Sequence, residues 1–171
     1  GDFLHCMSVT VTEMFRDPAM FKELRENVIP TLKTYSRINI WHAGCATGEE
    51  VYSMAILLHE EGLLEQARIY ATDLNHRSLA TAQAAIYPAE RMKLYSQNYL
   101  NAGGKQAFTD YYWENYDSAK INNFLRDKIT FASHNLCCDQ NFAEMHLILC
   151  RNVLIYFDKN LQDRVLGLFT K

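Results

Sequence analysis

Four short stretches of the chain are mostly apolar, and each is followed by a turn or by polar residues. They span Ile38–Ala43, Ala67–Asp73, Ile129–Ser133 and Leu147–Cys150. Short, mostly apolar segments of four to seven residues that contain isoleucine are typical of buried strands. The pattern therefore predicts four buried strands.

Between and after these runs, apolar residues recur at helical spacing. The spacing predicts helices over Glu49–Glu60, Ser78–Ile86 and Asp158–Phe169. A further helical pattern runs from 20 to 32, and Pro30 lies near its end. Proline has no N–H and clashes with the preceding turn, so we expect it to break or kink that helix.

Strands that alternate with helices indicate an α/β fold, here a doubly wound, mainly parallel sheet with helices on both faces. The segment Arg91–Lys128 does not follow this alternation, and it is rich in aromatic and polar residues. Loops of this length are uncommon in compact domains. We predict one domain over 1–171 with an inserted subdomain over 91–128. Its aromatic side chains either form a partner surface or cover the edge of the sheet, and both interpretations stay open.

Composition narrows the class of protein. The chain has 171 residues, 49% of them hydrophobic, and a net charge of −3, which gives no basic footprint for nucleic acid. It has no apolar run long enough to cross a membrane. The five cysteines show no disulfide framework and no metal-ligand spacing, so we expect reduced thiols and no metal site. The first residue is not Met and the last residues fall in a predicted helix, so we expect a piece of a longer protein.

The candidate ligand site lies where the first two strands end. Gly44 and Gly48 follow the first strand and permit a tight turn or a close approach of a ligand, and Asp73 ends the second. Glu49 and Glu50 open the next helix, where a pyrophosphate would be repelled and a cation favoured. S-adenosylmethionine has a ribose and two cationic groups but no phosphate, so it fits this pattern better than NAD.

A purely structural interpretation explains the same residues. Thr47 and Glu50 have the spacing of a capping box, in which Thr47 caps the helix and Glu50 reaches back to it. Asp73 could likewise cap a helix or stabilise a turn. Spacing alone does not decide between capping and cofactor binding.

Four segments together resemble the chemotaxis-receptor (CheR-type) protein-glutamate O-methyltransferase family. They are "TVTEMFRDP", "IWHAGCATGEEVYSMAILL", "IYATDLN…SLATAQAAIY" and "ITFASHNL…LILCRNVLIYFDKNLQ". The resemblance implies a Rossmann-like catalytic domain with an inserted β-subdomain, S-adenosylmethionine as cofactor and S-adenosylhomocysteine as product. It also implies a cytoplasmic protein that methylates glutamates on the helical cytoplasmic domain of chemoreceptors. The family's N-terminal helical domain has no counterpart in these residues.

The resemblance also assigns roles to individual positions. The implied cofactor-binding residues are Thr12, Arg16, Glu50, Asp73, Asn135, Leu136, Cys150 and Arg151. Among these, Glu50 would contact the methionyl end, Asp73 the ribose, and Asn135 with Leu136 the adenine. Arg16 and Tyr156 would be the catalytic residues, with Tyr156 facing the transferred methyl group.

The sequence departs from the family pattern at four positions, none of which is an implied contact. Met14 replaces a phenylalanine, Ala46 a serine, Val51 a proline and His146 an aspartate.

The implied chemistry needs no general base, because a glutamate with an ordinary pKa of about 4.3 is already ionised at neutral pH. The sequence shows no histidine with an evident acidic partner, which agrees with this. Two alternatives stay open: a related methyltransferase with another acceptor, and a signalling module that binds the cofactor or a receptor without turnover. Taken singly, Arg16 could be a surface charge, Tyr156 a core aromatic and Asn135 a turn residue.

Overall fold

Five strands form the central sheet of the computed structural model, which describes residues 12–133, 145–150 and the backbone of 153–156. Their order is β6-β2-β1-β7-β8, and all but β8 run parallel. The strands are β1 (Ile38–Ala43), β2 (Ala67–Asp73), β6 (Ile129–Ser133), β7 (Leu147–Cys150) and β8 (Val153–Tyr156). The mainly parallel sheet and all four predicted strands are confirmed, while β8 was not predicted.

Strand order and register place the carboxyl ends of four parallel strands at one edge. In β1, Ala43 lies beside Thr72 of β2 on one side and Cys150 of β7 on the other. The chain leaves β1 toward β2 and β6, and later returns to the opposite side as β7. In doubly wound sheets, ligands bind outside the strand ends at such a switch point.

The two faces of the sheet carry different apolar clusters. Ile38 and Ile40 of β1 belong to the main core, while Trp41 and Ala43 belong to a smaller cluster on the other face. This alternation is the period of two expected for strand side chains.

Helix α3 (Glu49–Glu60) packs on the main-core face and has the predicted bounds. Helix α4 (His76–Ala84) begins and ends two residues earlier than predicted. Its start is fixed by Asn75, whose side-chain oxygen accepts from the amides of Arg77 and Ser78. It ends at Ala85, which has a left-handed φ of 58°.

The helical segment before β1 is continuous but changes its hydrogen-bonding pattern. It consists of α1 (Pro18–Glu23), a π-helical turn (Leu24–Val28) and α2 (Ile29–Leu32). The amide of Ile29 donates to the carbonyl of Leu24, five residues earlier. Pro30, in α2, cannot donate, and the wider turn before it accommodates the missing bond. Of the two expected effects of Pro30, a break or a kink, the break does not occur.

The segment after α4 contains a second, three-stranded antiparallel sheet of order β3-β5-β4. It comprises β3 (Ile86–Pro88), β4 (Tyr112–Asn115) and β5 (Ser118–Ile121), with α5 (Met92–Asn101) and α6 (Asn123–Arg126) beside them. Several of its aromatic side chains belong to the main core: Tyr87, Tyr95, Tyr99, Phe108 and Tyr111. Trp113 and Tyr116 are instead 62% and 96% exposed. The bounds of the inserted subdomain, 91 and 128, remain a prediction.

A buried carboxylate joins α3, the π-helical turn and the inserted segment. Glu60 of α3 accepts from the Nη2 of Arg25 at 2.8 Å and from the Tyr111 hydroxyl at 2.5 Å. It also accepts from the Tyr99 hydroxyl and from the amide of Lys105 at 3.1 Å. A carboxylate held by so many donors fixes the three elements relative to one another.

The described part of the chain contains no helix that is long and apolar enough to cross a membrane, and no cluster of His, Cys, Asp and Glu suited to a metal. Cys45 is a free thiol, but Cys150 is disulfide-bonded, so the expectation that all thiols are reduced was wrong. The predicted helix Asp158–Phe169 lies outside the described residues.

Candidate functional site

The loop after β1 is tied to the end of β2 through three consecutive amides. The amides of Gly44 and Cys45 both donate to the carbonyl of Thr72 at 2.8 Å. The amide of Ala46 donates to Oδ2 of Asp73, also at 2.8 Å. Left-handed φ values of 75°, 51° and 95° at Gly44, Ala46 and Gly48 turn the chain sharply enough to make these bonds.

These bonds exclude one class of ligand. A loop that cradles phosphate aims successive free N–H groups at the anion. Here the amides of residues 44 to 46 are already used within the protein. The loop is therefore not built as a phosphate cradle, although it occupies the place of one in the fold.

Gly48 serves packing within the protein. A Cβ at this position would lie 2.9 Å from the Cβ of Ala82 and 3.1 Å from the Tyr87 hydroxyl. Only glycine permits this approach of the loop to α4 together with a φ of 95°. The structure thus accounts for Gly48 by the packing of α4 against the loop.

The first turn of α3 does not form a capping box. Gly48 is the N-cap, and no side chain caps the helix. The hydroxyl of Thr47 bonds to the carboxylate of Glu49, and the carboxylate of Glu50 bonds to His42. The capping interpretation of Thr47 and Glu50 was therefore wrong.

Glu49 is buried and its carboxylate is surrounded by hydroxyls. Its residue is only 1% exposed, and its Oε2 accepts from the Thr12 hydroxyl at 2.7 Å. Thr12 also lies 3.0 Å from the Thr47 hydroxyl, and Tyr87 donates to the carbonyl of Thr47. The structure thus places Thr12 next to Glu49. Sequence analysis noted Glu49 at the start of the helix but did not assign it as a cofactor-binding residue.

Glu50 forms a pair that the sequence did not reveal. Its Oε1 lies 2.9 Å from Nδ1 of His42, which is 1% exposed on β1. The absence of a histidine with an acidic partner, inferred from the sequence, was wrong. His42 lies on a strand and Glu50 on the helix that follows it, eight residues later. No short sequence motif has this spacing, so the pair could not be recognised from the sequence.

Asp73 is the link between β2 and the loop. Its Oδ2 accepts from Ala46, and its Oδ1 accepts from the amide of Asn75 at 2.8 Å. It is not the cap of α4, since Asn75 has that role. Burial raises the pKa of the neighbouring Cys45 thiol to about 12, and the charge of Asp73 adds to the effect. Cys45 is therefore a protonated structural thiol.

The remaining assigned positions are described less fully. Arg16 is exposed and takes part in an interaction, and Cys150 lies half-buried at the end of β7, level with Ala43. Tyr156 pairs with Leu147 through the backbone of β8. The side chain of Tyr156 lies outside the described residues, as do Asn135, Leu136 and Arg151.

Residues 10–171 match the family model described as CheR methyltransferase, SAM binding domain. The chain belongs to this family. The match covers the loop, both glutamates and Asp73, together with every position that the resemblance singled out.

Relatives in other bacteria agree with this assignment. The chain is 54% identical to a Pseudomonas putida protein provisionally named methyltransferase Cher3, over 97% of the chain and 61% of the relative. It is 32% identical to chemotaxis protein methyltransferase 2 of Pseudomonas aeruginosa, over 96% of the chain and 59% of the relative. It is 28% identical to the chemotaxis protein methyltransferase of Salmonella typhimurium, over 98% and 57%. The chain thus spans about three fifths of the length of these relatives.

Proposed function

We propose that the protein transfers a methyl group from S-adenosylmethionine to glutamate side chains of chemotaxis receptors in the cytoplasm. The observation that carries the proposal is the pairing of an amide-occupied loop with two carboxylates at the start of α3. This arrangement disfavours a phosphate and favours a cation in a domain of the CheR family.

The residues at the strand ends fit the parts of S-adenosylmethionine. Glu50 offers a carboxylate to the ammonium group, and Asp73 has lone pairs left for ribose hydroxyls after its two backbone bonds. Leu74 is 72% exposed directly after Asp73 and offers an apolar surface for a base. Sequence analysis did not single out Leu74, because one leucine in a polar loop forms no pattern.

Alignment of the reacting groups is the role that we assign to the protein's own side chains. The cofactor supplies an activated methyl group, which an ionised glutamate can take without a general base. Arg16 is exposed before α1 and is assigned to hold a carboxylate through its guanidinium. Tyr156, in β8, is assigned to donate its hydroxyl to the attacking carboxylate. Holding the reacting groups in line is then the main contribution of the protein.

The small sheet is our candidate for receptor docking. Trp113 and Lys120 lie side by side on β4 and β5, and Ile86 pairs with Lys120 from β3. Together with Tyr116 they line an open cavity of about 360 Å³. Exposed tryptophan and tyrosine offer a large contact area with a polar tip, which suits a partner surface.

The proposal is tested by incubating the protein with S-adenosylmethionine labelled in its methyl group and a soluble receptor cytoplasmic fragment. We expect label in the receptor that alkali releases as methanol, because carboxyl methyl esters are base-labile. Label that resists alkali would indicate another acceptor group. Binding of S-adenosylhomocysteine without any transfer would favour the signalling module without turnover.

A further inference from the structure

We infer that His42 is a positioning residue that holds Glu50 ready for the ammonium group of the cofactor. The inference rests on the proposed function, because it assumes that S-adenosylmethionine binds beside α3. His42 is a residue of the central sheet, and the chemistry of methyl transfer does not itself require a histidine. The inference therefore gives this side chain a role of its own.

The two glutamates at the start of α3 differ in what they can still bind. Glu49 uses both oxygens, since Oε2 accepts from Thr12 and Oε1 from Thr47. Glu50 uses Oε1 toward His42, and its Oε2 has no hydrogen-bond partner among the described residues. Its side chain is 21% exposed, against 1% for the Glu49 residue. The greater exposure of Glu50, rather than the number of lone pairs, makes it the carboxylate that a bound ligand can reach.

His42 fixes the direction in which that free oxygen faces. It lies on the α3 face of β1, between Ala71 of β2 and Leu149 of β7, which are both fully buried. Packing on both sides leaves the imidazole little freedom, so its bond to Oε1 also restrains the Glu50 side chain. A restrained carboxylate loses less conformational entropy when a ligand binds.

The hydrogen bond also sets the tautomer. A carboxylate accepts only, so Nδ1 of His42 must carry the proton that it shares with Glu50. Nε2 is buried and has no hydrogen-bond partner in the described part of the chain. A buried polar atom without a partner destabilises the fold, so a histidine is a poor choice here for packing alone. Among the described residues its polar contact is with Glu50, and this contact is the reason we assign to it.

The test compares two ligands and three variants. S-adenosylhomocysteine carries the ammonium group, whereas 5′-methylthioadenosine has the same nucleoside without it. The amide nitrogen of asparagine is as many bonds from Cα as Nδ1 of histidine, and that of glutamine matches Nε2. His42→Asn can therefore keep the donor toward Glu50, while His42→Gln and His42→Leu cannot.

Calorimetry should show that the parent protein binds S-adenosylhomocysteine more tightly than methylthioadenosine. We expect His42→Gln and His42→Leu to lose about tenfold in affinity for S-adenosylhomocysteine, the scale of one hydrogen bond to a charged group. His42→Asn should stay within about threefold of the parent, a difference smaller than one hydrogen bond. Affinity for methylthioadenosine should not change in any variant that folds. A loss that is equal for both ligands would show a structural role and overturn the inference.

The inference and the proposed function can fail separately. A parent protein that binds both ligands equally well does not recognise the ammonium group, which would overturn the role of His42 alone. A parent protein that binds neither ligand would overturn the proposed function and the inference with it. Nitrogen-15 NMR of the parent gives a check without variants: we expect the Nδ1–H tautomer, and an Nε2–H tautomer would contradict the inference.

Discussion

Asp73 has two tasks in the site that cannot be separated by removing its side chain. It holds the loop through Ala46 and the start of α4 through Asn75. Under the proposed function, its remaining lone pairs accept from the ribose hydroxyls. Because Asp73 is buried, each of its partners would be left unpaired if the carboxylate were lost. Under the proposed function, ligand binding and loop geometry therefore depend on the same two oxygens.

We predict that Asp73→Asn lowers both stability and affinity for S-adenosylhomocysteine. An amide can accept one of the two backbone bonds but turns its NH₂ toward the other amide, so each loss should be about 1–3 kcal/mol. Chemical unfolding and calorimetry measure the two effects. Asp110→Asn, at an exposed position, is the control and should change neither. Unchanged affinity in Asp73→Asn would show that the residue is structural only.

Two glycines with left-handed backbone allow strain and crowding to be separated. We predict that Gly62→Ala, with φ 75° and no atom within 4 Å of the new Cβ, costs about 1–2 kcal/mol of backbone strain alone. Gly48→Ala adds a contact of 2.9 Å with Ala82 and should cost about 1–3 kcal/mol more. Equal free energies of unfolding for the two variants would contradict the packing role of Gly48.

At the level of elements, the sequence predicted the local elements and the parallel sheet that their alternation implies, but not the individual long-range pairings. Strands β1 and β2 and helix α3 have the predicted bounds, because each is a strong periodic pattern ended by a glycine or a polar residue. The small sheet pairs β3 with β5, about thirty residues later, and no local pattern indicates such a pairing. The His42–Glu50 pair was missed for the same reason.

The proposed docking surface on the small sheet can be tested without removing the inserted segment. Deleting 91–128 would remove core side chains such as Tyr99 and Tyr111, so surface variants give a cleaner test. We predict that Trp113→Ser combined with Tyr116→Asn weakens receptor binding while stability changes by less than about 0.5 kcal/mol. Asparagine suits position 116 because its φ is 57°.

Receptor affinity and cofactor affinity are measured separately for this double variant. Leu94→Ser, at an exposed apolar position on α5, is the control and should leave both unchanged. Full receptor affinity in the double variant would remove the small sheet as the docking surface.

At the level of the whole molecule, Glu60 makes the stability of the folded protein depend on pH. Burial raises the pKa of its carboxyl, but the bonds from Tyr111, Tyr99, the Lys105 amide and Arg25 outweigh this and bring it below the usual 4.5. The folded state therefore holds this proton less readily than the unfolded state. The stabilisation is present above the ordinary pKa and is lost as pH falls through the lowered value.

We predict that Glu60→Gln costs about 1–3 kcal/mol at pH 7, because four donors lose a charged acceptor. The difference from the parent should begin to shrink as the pH falls below the ordinary pKa, where the unfolded state takes up the proton, and should vanish below the lowered pKa of the folded state. Urea unfolding at several pH values measures it. Glu65→Gln removes a 92% exposed carboxylate bonded to Lys128 and should show almost no difference at any pH. A pH-independent loss in Glu60→Gln would contradict the role of its charge.

The proposed function requires that the amide-occupied loop and the carboxylates of α3 form a site for S-adenosylmethionine. Calorimetric titration of the protein with S-adenosylhomocysteine tests it most directly, with ADP as a ligand that shares the adenosine and replaces the amino acid by a pyrophosphate. We predict one-to-one binding of S-adenosylhomocysteine and no measurable binding of ADP, because the loop amides are occupied and Glu49 and Glu50 repel an anion. Binding of ADP with an affinity equal to or higher than that of S-adenosylhomocysteine would contradict the proposed cofactor site.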